Sequence, residues 1–128
     1  MLTYEIDTAE RLISATFSET MTIDDIEAYS VQLSTDKLFS PAYAEVVDLT
    51  EVKNFAFRDC EIISLKKEIP FLPNSKRALV VSTRSQSHIA HLYRIMRKGF
   101  NIRVFTSLGE AVDWIGEAHA VGASGSAR

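Results

Sequence analysis

Three short, mainly apolar runs, Ala44 to Leu49, Ala78 to Val81 and Ile102 to Phe105, are separated by stretches whose apolar residues recur at helical spacing. This alternation constrains the fold more than any other feature of the chain. A strand that is followed by a helix and then by another strand of the same sheet returns through a crossover, and a crossover makes the two strands parallel. The helical stretches are Ile62, Leu65 and Ile69, then Ile89, Leu92, Tyr93 and Met96, then Leu108, Ala111, Val112 and Ile115. Each places one apolar stripe against a sheet.

The N-terminal part reads differently. Leu2, Tyr4 and Ile6 alternate with polar residues, as do Ile13, Ala15 and Phe17, which predicts an antiparallel hairpin. Thr22, followed by Asp24 and Asp25, opens a first helix that carries Ile26, Tyr29 and Leu33 inward. Pro70 and Pro73 end the second helix, Gly99 ends the third, and Ser107 with Glu110 opens the fourth. The predicted order is ββαβαβαβα: a single α/β domain over residues 1–117, with a five-stranded, mostly parallel sheet, an antiparallel N-terminal edge strand and four helices. Small residues from Ala118 onward predict a flexible tail over 118–128.

Composition narrows the function. At 128 residues the chain is long enough for one self-sufficient core, and it has no apolar run long enough to span a bilayer. Its start lacks the features of a secretory signal and its single Cys60 cannot form an internal disulfide, so a cytoplasmic location is expected. The charges are sorted by position. Met1 to Glu68 carries fourteen Asp and Glu against six Lys and Arg, whereas Ile69 to Gly109 carries seven Lys and Arg and no acid. Such a segment predicts a cationic face that attracts phosphates, anionic lipid surfaces or an acidic protein partner. Nucleic acid fits poorly, because the net charge is −3 and no aromatic series is interleaved with the arginines.

The hairpin, Val46-Val47-Asp48-Leu49-Thr50-Glu51-Val52, Arg77-Ala78-Leu79-Val80-Val81, Val104-Phe105 and Glu110-Ala111-Val112-Asp113-Trp114-Ile115 together resemble the SpoIIAA-like proteins. These are related to STAS domains and share a likeness with CRAL-TRIO lipid-transfer domains. The resemblance spans Leu2 to Gly116 and implies a non-enzymatic regulatory or ligand-binding module without a cofactor. Anti-sigma-factor antagonists of that family carry a phosphorylatable serine in an Asp-Ser-Ser-Gly element at the start of the helix after this strand. Here the corresponding stretch is Lys53-Asn54-Phe55-Ala56-Phe57-Arg58-Asp59-Cys60, which holds no Ser or Thr. The resemblance therefore comes without its phosphoswitch.

Two groups of residues remain as candidates. Phe55, Phe57 and Phe71 bracket a helix over about 55–69, expected to act as a lid over an apolar cavity. Thr83, Arg84 and Ser87 stand where a strand ends and a helix begins, a place that favours an anion, and Ser85 or Ser87 is expected to cap that helix. Asp48 sits at the C-terminal end of a central strand and Thr50 in the turn beyond. Together these residues would hold an amphipathic, lipid-like anion. His88, His91, Arg94, Arg97 and Lys98 fall on the outer side of the third helix, the expected surface for an anionic membrane or an acidic partner. The two histidines are three residues apart, yet no further metal ligands are near them in sequence and cationic neighbours repel a metal, so no metal is expected. No acid–base or nucleophile pattern marks an enzyme. The open edge of the first strand leaves pairing with a second copy as a further interaction.

Overall fold

The computed structural model of the protein describes residues 1–65 and 69–124, with side chains as far as Glu117. Its elements are β1 (Leu2–Asp7), β2 (Leu12–Met21), α1 (Ile23–Thr35), β3 (Ala44–Phe55), α2 (Asp59–Ile63), β4 (Arg77–Val80), α3 (Arg84–Met96), β5 (Ile102–Phe105) and α4 (Leu108–Ser124). The five strands form one sheet in the order β1-β2-β3-β4-β5. β1 runs antiparallel to β2 and every other pairing is parallel, so the expected α/β architecture is the observed one.

Register follows from the apolar alternation. Leu2, Tyr4 and Ile6 stand opposite Phe17, Ala15 and Ile13, which puts one side of the hairpin against the core and leaves Glu5 and Asp7 in water. Those acids also blunt the open edge of β1. Thr22 caps α1 in a reciprocal box: its Oγ1 accepts from Asp25 N at 3.1 Å and its own N–H donates to Asp25 Oδ2 at 2.9 Å. One apolar core, under α1 and α3, gathers Ile13, Phe17, Leu33, Val47, Leu79 and Ala90 among others. The second, on the opposite side of the sheet, packs Ala111, Trp114 and Ile115 of α4 on Val46, Ala78 and Val80.

Four expectations need correction. β3 does not stop near Leu49; it runs to Phe55 because β2 extends beside it, through register shifts between Thr16 and Ser18 and between Glu19 and Thr20. The second helix does not span 55–69. α2 occupies only Asp59–Ile63, and the Ser64 hydroxyl closes its last turn by donating to the Cys60 carbonyl at 2.6 Å. Leu65 and Ile69 are buried but lie outside α2; Lys66, Lys67 and Glu68 lie outside the described residues. On α4, Leu108 and Val112 stay exposed, because the buried stripe is centred on Ala111, Trp114 and Ile115. On α3, Met96 is exposed while Gln86, Ile89 and Ala90 are the buried residues. The described backbone of α4 ends at Ser124, and residues 125–128, the end of the expected tail, lie outside the described residues.

Candidate functional site

The parallel strands end at one rim, and β3 overshoots β4 there. β4 pairs with β3 only from Glu45 to Asp48, so on that side the carbonyls of Thr50 and Val52 have no neighbouring strand. Gln86 supplies what the missing strand would. Its Nε2 donates to Thr50 O at 3.2 Å and Val52 O at 2.9 Å, while its Oε1 accepts from Ser82 N at 2.7 Å and Thr83 N at 3.1 Å. The side chain is 1% exposed and uses both ends of its amide. Thr83 is the helix cap, accepting from Gln86 N at 3.2 Å; the sequence reading placed this role on Ser85 or Ser87.

The rim therefore brings Asp48, Thr50 and Thr83 into one polar cluster, joined by a residue that the sequence reading passed over. Its signal was available, since Thr83-Arg84-Ser85-Gln86 has the spacing of a reciprocal cap. Asp48 turns onto Thr50, accepting from its N–H at 2.9 Å and its hydroxyl at 2.6 Å. Arg84 is exposed and Ser87 half-buried beside this cluster.

The three phenylalanines do not converge. Phe55 and Phe57 stack edge-to-face at 5.7 Å, half-buried at the end of β3. Phe71 is buried elsewhere, with its ring 4.7 Å from the Arg77 guanidinium and edge-to-face with Phe39 at 5.4 Å. A cavity of about 60 Å³ does exist, half-open, but it lies between the sheet, α1 and α3, bounded by residues such as Phe17, Met21, Ile62 and Ile89.

Its polar end is a buried ion pair. Glu45 and Arg77 are direct partners on β3 and β4, 1% and 3% exposed, with Arg77 Nε donating to Glu45 Oε1 at 3.0 Å. Tyr29 of α1 donates to Glu45 Oε2 at 2.5 Å, and Arg77 Nη2 donates to Tyr93 Oη of α3 at 2.9 Å. Burial opposes the charge on Arg77, but the adjacent Glu45 carboxylate outweighs it and holds the guanidinium above its ordinary pKa. Burial, and after it the Glu45 charge, pushes the Tyr29 phenol well above the usual tyrosine range.

The cations of the acid-free segment disperse. Arg77 is inside. Lys76 donates to Trp114 O at 2.9 Å, with its Nζ 4.6 Å from the Trp114 ring and the Arg103 guanidinium 5.2 Å from the same ring, on the α4 side of the sheet. Desolvation, with Arg103 nearby, lowers the Lys76 pKa. Arg97, expected on the outer face, is buried with its guanidinium 5.0 Å from the Tyr93 ring. It is the C-cap, with φ −103° and ψ 50°, so it has left the helical path that the wheel extrapolates. Arg84, His91, Arg94 and Lys98 are exposed, although Arg94 Nε also donates to Ile102 O at 3.0 Å. His88 Nε2 lies 2.8 Å from Asp59 Oδ2 at the start of α2.

Comparison with known proteins adds the fold. A crystal structure of an uncharacterised DUF3478-family protein with a SpoIIAA-like fold, from Shewanella loihica PV-4, superposes with a TM-score of 0.60 at 14% identity, over 89% of this chain and 93% of that one. The fold is SpoIIAA-like. An anti-sigma factor antagonist from Mycobacterium paratuberculosis superposes with a TM-score of 0.53 at 16% identity, over 90% of this chain and 94% of that one. No protein-family model matches the sequence and no curated protein is similar to it. At the start of α2 this SpoIIAA-like chain reads Arg58-Asp59-Cys60, with no hydroxyl to modify. Among the described residues no helix is long and apolar enough to cross a membrane.

Proposed function

We propose that the protein is a non-enzymatic interaction module of STAS type that docks an acidic protein segment on the outer face of α3. The observation that carries this reading is the make-up of that face. At 3.6 residues per turn, His91 and Ile95 fall within about 20° of Arg84 on the helix wheel. Ile95 is 65% exposed, an apolar contact point among cations, and no acid occurs anywhere from Ile69 to Gly109. A partner segment with glutamates around a leucine is the complement. The anti-sigma factor antagonist of the same fold is compatible with a role in protein contact. The module works without a phosphoserine at the start of α2, and Thr50 has its hydroxyl committed to Asp48.

The amphipathic-ligand reading, with a CRAL-TRIO-like tail pocket near Phe55, Phe57 and Phe71, draws less support. Phe55 and Phe57 stack on each other and Phe71 on Phe39, all within one apolar cluster, and α2 is a single short turn of helix. Reversible contact with anionic membranes through Arg84, Arg94 and Lys98 is the competing use of the same face.

One experiment separates the two. A labelled amphipathic peptide with Glu and Leu on opposite faces is titrated against the full chain, in parallel with co-sedimentation on phosphatidylserine vesicles. Expected is peptide binding that weakens with salt and is lost in Arg84→Glu/Lys98→Glu, without vesicle retention. Retention on vesicles with no peptide binding assigns the face to a membrane, and binding to neither overturns the reading.

A further inference from the structure

The cavity beneath α1 and α3 has a second set of properties, independent of the outer face of α3. Its walls are apolar, and its polar end carries a full negative and a full positive charge only 3.0 Å apart, which cancel. A charged ligand entering here would be stripped of water and meet no uncompensated counter-charge, so the site rejects ions. An uncharged ligand has no such penalty.

The hydrogen-bond account shows what remains on offer. The Tyr29 hydroxyl is spent on Glu45, and the Ser30 hydroxyl donates to Ile26 O at 3.2 Å. Tyr93, half-buried, lines the cavity and accepts from Arg77, and no protein group among the described residues accepts from its O–H, which leaves that proton to solvent or to a ligand. An uncommitted donor beside apolar walls selects an acceptor on an apolar body. The cavity holds about 60 Å³ and is half-open, well below the ~150 Å³ that takes a whole benzene molecule, so a small ring seats in it only in part, with the remainder at the open mouth.

We propose that this cavity binds a small uncharged molecule, apolar over most of its surface, whose single carbonyl or hydroxyl oxygen accepts from Tyr93. Peptide docking on the outer face of α3 does not use Tyr93 or the cavity, so the two readings stand or fall separately.

The test is a methyl NMR titration of the full chain with three probes of one shape: cyclopentanone, cyclopentane and cyclopentanecarboxylate. Expected are saturable shifts of the Ile62 and Ile89 methyls with cyclopentanone, several-fold weaker binding of cyclopentane, and no binding of the carboxylate. In Tyr93→Phe the preference for the ketone over the alkane, about threefold to tenfold for one neutral hydrogen bond, falls to about one. The proposal is overturned by absence of saturable shifts with cyclopentanone, by equal affinity for ketone and alkane in the unaltered protein, by carboxylate binding as tight as the ketone, or by an unchanged preference in a folded Tyr93→Phe. Because the three-probe comparison uses the unaltered protein, it decides the matter even if that variant loses its fold.

Discussion

Breaking the Glu45–Arg77 pair from one side will cost far more than removing both partners. The two side chains are 1% and 4% exposed and 3.0 Å apart, a separation at which their attraction is roughly 5.5 kcal/mol at an effective dielectric constant of about 20. Desolvation takes back several kcal/mol per ion, so the intact pair contributes little net stability, while a lone survivor retains the penalty without the attraction. Arg77→Met and Glu45→Leu should each lower unfolding stability by about 3–5 kcal/mol. The double variant is left only with the hydroxyls of Tyr29 and Tyr93 deprived of buried partners, and should cost about 1–3 kcal/mol in total. Urea unfolding at neutral pH measures all three, with unchanged m-values licensing the comparison. A double variant whose loss equals the sum of the singles, or single losses under about 1 kcal/mol, would refute the reasoning.

Gln86→Leu should destabilise by about 2–4 kcal/mol, because the buried Val52 carbonyl loses its donor and the start of α3 loses half of its cap; Gln86→Glu, which sets a buried carboxylate oxygen against the Thr50 and Val52 carbonyls, should cost at least as much at neutral pH, as read by urea midpoints. Stability should decline as pH rises above about 10, the unfolded tyrosine value, since the Tyr29 phenol has a raised pKa when folded and the unfolded chain releases its proton first; denaturation midpoints through the alkaline range check this, and Tyr29→Phe should flatten the slope. Cys60 is exposed, so a thiol reagent should label it stoichiometrically without denaturant and leave the circular dichroism spectrum unchanged; labelling that requires unfolding would contradict the placement of α2.

What the sequence revealed of the fold came from periodicity, and it failed where a residue's surroundings are set from a distance. The parallel half of the sheet was legible because Ala78-Leu79-Val80-Val81 is apolar on both faces, which needs helices on both sides. The extension of β3 was not, since Glu51, Lys53 and Asn54 obey no alternation once a bulge intervenes. Ile62, Leu65 and Ile69 are all buried and helically spaced, yet only Ile62 lies in α2, so burial alone reproduced the spacing. The site was half legible. Asp48, Thr50 and Thr83 do share a rim, yet Gln86, which joins them, acts on carbonyls 34–36 residues away that no local pattern reveals. Glu45 and Arg77 were the strongest unread signal: opposite charges embedded in two apolar central strands become a pair once the register places them side by side.

That register also explains why a segment with seven cations and no acid does not build one uniform basic face. Parallel strands and crossover helices send successive residues to opposite sides of the sheet, so Lys76 and Arg103 end at Trp114 under α4 while Arg77 enters the core. Of the exposed cations on and just after α3, Arg94 holds the Ile102 carbonyl, whereas Arg84 and Lys98 can be changed without touching the fold. Arg84→Glu/Lys98→Glu should shift unfolding stability by no more than about 0.5 kcal/mol per site while removing salt-sensitive binding, whereas Arg77→Met should do the reverse, weakening the fold and leaving binding by the folded fraction intact. If reversing Arg84 and Lys98 instead unfolds the protein, their role is structural and the docking face is elsewhere.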